Sequence, residues 1–91
     1  MRNNLQPLYY AIIEHFKGDV EDCAQGVVDA LSEDYAGYRL LNAKDVSEAL
    51  ATAKENGILE EAGCGVDAEG ELVISYRMSD FGKEMVVKYL H

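Results

Sequence analysis

The residues able to do chemistry are few and scattered. Cys64 lies between Gly63 and Gly65, Cys23 sits among apolar residues, and the two histidines, His15 and His91, stand far apart in the chain. A reactive thiol needs a cationic neighbour that lowers its pKa, or further metal ligands at fixed spacing. Cys64 has neither in its vicinity and reads at most as an oxidisable thiol; Cys23 reads as a buried structural one. No CxxC pair is present, so neither a disulfide framework nor a zinc site is expected. The glycines of "GCGVDAEG" do not open a helix and are followed by acids, which excludes a phosphate cradle. "DAEGE" has the outline of a calcium loop without its ligand spacing. The acids of "VEDC" and "SEDY" form no acid–base pair. The expectation is a non-enzymatic chain with no catalytic, metal or cofactor residues and no identifiable small-molecule ligand.

The surrounding elements are more legible. Val46, Ala49, Leu50 and Ala53 recur at i, i+3, i+4 and i+7, one apolar stripe of a helix. Asn42 is a suitable N-cap, Asp45 places a carboxylate in the first turn, and "ENG" (Glu55 to Gly57) stops the helix, with Gly57 free to turn left-handed. From Leu72 the period changes to two: Leu72, Ile74, Tyr76 and Met78 share one face, and Val73, Ser75 and Arg77 the other. A strand from Ile58 and Leu59 joins it through the turn chemistry of "DAEG". Upstream, Leu5, Leu8, Tyr9, Ile12, Ile13 and Phe16 predict a first helix with Pro7 in its first turn, ended by Gly18. A second helix is expected with Asp19 as cap, Asp22 three residues on, and Val20, Cys23, Ala24, Val27, Val28 and Leu31 buried. Ser32 to Asn42 is a loop in which "YRLL" reads as a short strand or a helical turn. The last helix opens on Ser79, with Phe81, Met85 and Tyr89 along one side.

Ninety-one residues, 48% of them hydrophobic, are enough for one modestly cored domain, 1–91, and too apolar for a disordered chain. No apolar run approaches the roughly 20 residues of a membrane span. "MRNNLQPLYY" has no signal-peptide core, from which a cytoplasmic location is expected.

The order of elements resembles the winged helix-turn-helix superfamily. "DVSEALATAKENGILEE" looks like a recognition helix running into the first wing strand, and "YRMSDFGKEMVVKYL" resembles the strand-to-helix exit of MarR- and PadR-like regulators. The resemblance implies an α+β winged helix, with a three-helix core, a β-hairpin wing and a closing C-terminal helix. It also implies a DNA-binding regulator, in which Arg39, Lys44, Ser47 and Arg77 would be the DNA-facing residues.

Charge points the other way. The chain carries −9, and neither Asp19–Tyr38, with six acids, nor Gly57–Leu72, with five, contains a single Lys or Arg. DNA binding draws on clustered cations that release counterions from phosphate. The presumed recognition face (Lys44, Ser47, Glu48, Ala51, Thr52, Glu55) is mixed, and Asp67, Glu69 and Glu71 would bring acids against the backbone. The charge reading therefore makes DNA an unlikely partner of the isolated domain. It favours a small module acting through protein–protein contacts, with the MarR/PadR-like regulator as the alternative. Tyr10 stands off the first helix's stripe, and Val86, Val87 and Leu90 widen the apolar face of the last helix. These four are the expected interface with a protein partner, most simply a second copy in a homodimer.

Overall fold

The computed structural model describes residues 7–89. The elements run α1 (Leu8–His15), α2 (Ala24–Leu31), α3 (Ala43–Glu55), β1 (Leu59–Val66), β2 (Leu72–Met78) and α4 (Asp80–Tyr89). Pro7 stands at the N-cap of α1, its fixed φ leading into the helix while its carbonyl takes the Ala11 N–H at 3.1 Å. Leu5 of the expected stripe lies outside the described residues; Ile12, Ile13 and Phe16 are buried.

The third helix is built as its sequence predicts. The Asn42 side chain accepts the Asp45 N–H at 2.9 Å and donates to the Asp45 carboxylate at 2.7 Å. At the other end Gly57 takes φ +82°, its N–H bonds Lys54 O at 2.9 Å, and Ile58 N bonds Ala53 O at 2.9 Å. That 5→2 and 6→1 pair is a Schellman cap, and it turns the chain straight into β1. Val46, Leu50 and Ala53 are fully buried, in one core with Phe16, Val27 and Leu59.

The approach to α2 departs from expectation. Gly18 and Asp19 both take left-handed φ, +78° and +64°, so the chain cannot run on into helix. It extends instead, and Asp22 pairs with Tyr76 of β2 through two main-chain bonds, at 3.1 and 2.8 Å. Asp19 is therefore no cap, Val20 and Cys23 are not helical, and α2 begins at Ala24. The Asp22 carboxylate lies over that start, accepting the Cys23 N–H at 2.8 Å and bonding His15 Nε2 at 2.8 Å. A negative group is favoured there by the helix dipole. Gly26 makes room for it, since a Cβ at that position would fall 1.8 Å from Asp22 Oδ1. Between α2 and α3 "YRLL" is neither strand nor helix. Successive turns run through Gly37, anchored by the buried Tyr35, whose ring meets Tyr38 edge-on at 4.9 Å.

β1 and β2 form a two-stranded antiparallel sheet, pairing Leu59 with Met78 at the base and Val66 with Leu72 at the tip, with an irregularity between Glu61 and Gly63. Tyr76 and Met78 point into the core as the period-two pattern requires. Leu72, on the same pattern, is 68% exposed and faces Val66 at 69%, because the hairpin outruns the core it grows from.

Ser79 caps α4: its hydroxyl accepts the Gly82 N–H at 2.9 Å and donates to the carbonyls of Gly57 and Ile58. The helix turns Gly82 and Val86 inward, whereas Phe81 is 52% exposed over the Gly57 turn. Phe81 and Met85 are thus not on the buried side, and the side chain of Tyr89 lies outside the described residues. Val86 is only 3% exposed and belongs to the chain's own core, so it offers no surface to a second chain. Tyr10 and Val87 are exposed, and Leu90 lies outside the described residues.

Candidate nucleic-acid interface

Three elements meet around one groove of about 690 Å³: the start of α2 (Ala24, Gln25), the start of α3 (Ala43, Ser47) and the hairpin (Asp67, Glu69, Val73). Asn42 sets α3 at this edge, and the Asp22–Tyr76 bridge holds the start of α2 beside β2. Lys44, Ser47, Glu48, Ala51, Thr52 and Glu55 are all exposed, so the outer face of α3 is open along its length. On its other flank, a smaller hollow of about 320 Å³ separates α3 from α1, lined by Leu8, Tyr9, Leu40 and Thr52.

The hairpin loop is rigidly made. Asp67 Oδ1 accepts the N–H groups of Glu69 and Glu71, both at 2.9 Å, and Asp67 N bonds Glu71 O at 3.0 Å. Gly70 takes φ +82° to close the turn. Asp67 is thus occupied in shaping the loop, while Glu69 and Glu71 are exposed.

Of the described cations, Lys54, Arg77 and Lys83 are ion-paired, and Lys17, Arg39, Lys44 and Lys88 are not. Arg77 on β2 is held by Glu60 of β1 at 2.7 Å, with Glu21 at 3.8 Å, and the Glu60 hydrogen bond raises its pKa further. Lys54 pairs with Glu61 at 3.0 Å and Lys83 with Asp19 at 2.6 Å; both lysines are raised by their partners, and Lys83 lowers Asp19. These exposed pairs contribute little to stability, yet they hold four carboxylates, Asp19, Glu21, Glu60 and Glu61, against cations. Arg39 and Lys44 differ. Both are exposed and neither is ion-paired among the described residues; Lys44 lies in the first turn of α3 and Arg39 in the turns before it.

The structure therefore gathers Lys44 and Ser47 on α3, puts Arg39 in the turns just before it, and commits Arg77 to two carboxylates. Gln25 was not legible as a groove residue. With α2 expected from Asp19, it falls in a second turn instead of the first. Among the described residues no three His, Cys, Asp or Glu side chains are grouped to hold a metal ion, and no helix is long and apolar enough to cross a membrane.

No family model matches the chain, and no curated protein matches it in sequence. Its fold is similar to that of Bacillus subtilis PadR in the crystal structure of that protein with operator DNA, at TM-score 0.73 and 15% identity. The match covers 93% of this chain and 47% of that one. The fold is a winged helix.

Within the winged helix, the β1–β2 hairpin is the wing, and the isolated Asp22–Tyr76 bridge ties the approach to α2 to its β2 strand. The likeness to a regulator solved on DNA also corrects the reading drawn from charge. A module acting through protein contacts alone, with DNA an unlikely partner, is displaced by the regulator alternative. The charge reading left out position, which a sum over the chain ignores. Lys54, Arg77 and Lys83 are spent on Asp19, Glu21, Glu60 and Glu61, whereas Lys44 in the first turn of α3 and Arg39 just before it make no ion pair among the described residues.

Proposed function

We propose that the chain is the DNA-binding module of a PadR-like transcriptional regulator, presenting the outer face of α3 to the major groove. The observation that carries this reading is the winged-helix fold shared, over nearly the whole chain, with PadR on its operator. The open face of α3 and the two unpaired cations at its start support it. In this reading Arg39 and Lys44 bind backbone phosphates, and Ser47 approaches the base edges. Arg77 holds the base of the wing together instead of meeting DNA. This chain spans about half of the PadR chain, so assembly draws on whatever else the protein carries. A pair of copies would bind half-sites about one helical turn apart, and Tyr10 and Val87 are the exposed groups available to bring them together.

The test is fluorescence anisotropy with duplexes from the region upstream of the chain's own gene, titrated with salt. Each phosphate-contacting cation contributes about 0.9 to the slope of log affinity against log salt. Arg39→Gln with Lys44→Gln is expected to flatten the slope by about 2 for each chain bound and to weaken all duplexes alike. Arg77→Gln should leave the slope unchanged. A folded protein that binds none of these duplexes at low salt would overturn the proposal.

A further inference from the structure

Lys44, Glu48, Ala51 and Glu55 recur at i, i+4, i+7 and i+11 on α3, opposite the buried Val46, Leu50 and Ala53. A helix lying in the major groove meets base edges with its outermost side chains over its first turns. Those side chains include no arginine, asparagine or glutamine, and the one lysine among them, Lys44, is assigned to phosphate in the reading above. Beside the Ser47 hydroxyl, which donates or accepts and so suits any edge, they offer a carboxylate at Glu48 and a methyl group at Ala51. Glu48 is exposed and makes no ion pair among the described residues, so it is not committed elsewhere in the fold.

A carboxylate carried into a groove walled by phosphates is repelled unless it finds a hydrogen-bond donor. On the major-groove edge the donors are the N4 amine of cytosine and the N6 amine of adenine; guanine O6 and N7 and thymine O4 are acceptors and would repel it. Glu48 therefore selects by exclusion, since an unmatched base leaves a desolvated charge unpaired. Ala51 can make only apolar contact, and the thymine C5-methyl is the one apolar group on that edge. The two residues are separated along the helix axis by about 4.5 Å, from three residues at 1.5 Å each. That is close to the 3.4 Å between successive bases on one strand.

Resting on the DNA-binding reading, we infer that α3 reads two neighbouring base pairs, one through an adenine or cytosine amine at Glu48 and one through a thymine methyl at Ala51. The wing takes no part in this readout. Its tip carries Glu69, Glu71 and the apolar pair Val66–Leu72, and a narrow minor groove, with its negative potential, attracts cations.

The experiment selects duplexes from a randomised pool with the full chain at low salt, then replaces each thymine of the winning site with uracil. The expected site holds a thymine beside a position whose contacted strand carries adenine or cytosine and excludes guanine and thymine, and uracil at that thymine weakens binding about fourfold, the worth of one buried methyl group. Ala51→Gly should abolish the sensitivity to uracil, and Ala51→Ser, a gentler helix substitution, should reduce it. Glu48→Ala should relax discrimination at the neighbouring pair about tenfold while leaving other positions unchanged. Selection of no duplex by a folded chain would overturn the DNA-binding reading and this inference together. A selected site insensitive to uracil at every thymine, with base preference unaltered in Glu48→Ala, would overturn this inference alone.

Discussion

Replacing Gly82 by alanine is expected to destabilise the fold by about 3 kcal/mol, at the upper end of what overpacking ordinarily costs. An added Cβ would sit 2.1 Å from the Ile58 carbonyl oxygen and 2.9 Å from Met78 Cγ. The Met78 side chain can move, but the Ile58 carbonyl cannot move alone. It accepts the Ser79 N–H at 2.9 Å and the Ser79 hydroxyl at 3.0 Å, and that hydroxyl caps α4. Pushing it away loosens the cap and lifts α4 from the α3–β1 junction together. Gly63→Ala is the control: its added Cβ meets nothing within 4 Å and its φ is not left-handed. It should change stability by less than about 1 kcal/mol. Urea denaturation of both variants checks the pair. A loss below about 1 kcal/mol for Gly82→Ala would mean that α4 is not seated as described.

Leu50→Ala removes the middle of the α3 stripe. The side chain is fully buried among Val46, Ala53 and the residues that α1, α2 and β1 direct inward, so its loss leaves a cavity lined by rigid elements on every side. Such truncations cost about 2–5 kcal/mol, a large share of the roughly 5–15 kcal/mol that holds a domain folded. The same truncation at Leu40, which is 58% exposed, should be nearly silent. An unfolding midpoint for Leu50→Ala close to that of the parent would show that the stripe does not face the core.

Much of this architecture is written locally, and what is local was legible. The Asn42 cap, the Gly57 stop, the Asp67–Gly70 turn and the alternation through Tyr76 and Met78 each depend on a few adjacent residues. What was missed depends on contacts between distant segments. Asp19 and Asp22 look like a cap in sequence, yet Asp19 meets Lys83 and Asp22 meets Tyr76, sixty-odd and fifty-odd residues away. Phe81 looks like core until Gly82 is seen to occupy the closest approach to Ile58. Val86 looks available until the same packing turns it inward. Of the candidate site, the exposure of Lys44 and Ser47 follows from the α3 periodicity, but the commitment of Arg77 to Glu60 and Glu21 needs the strand pairing. Net charge was the least local reading, since −9 is a property of the whole chain whereas the field at α3 is set by the charges around it.

A chain of 91 residues is small enough for every backbone amide to be followed by NMR during addition of a duplex. With the uniformly labelled protein and DNA from upstream of its own gene, the account predicts shifts concentrated at Arg39 to Ala51 and at the start of α2. Amides of α4 and the outer side of α1 should stay unmoved. Shifts centred on α4 or α1 with α3 undisturbed, or no shift at any ratio of DNA to protein, would contradict it.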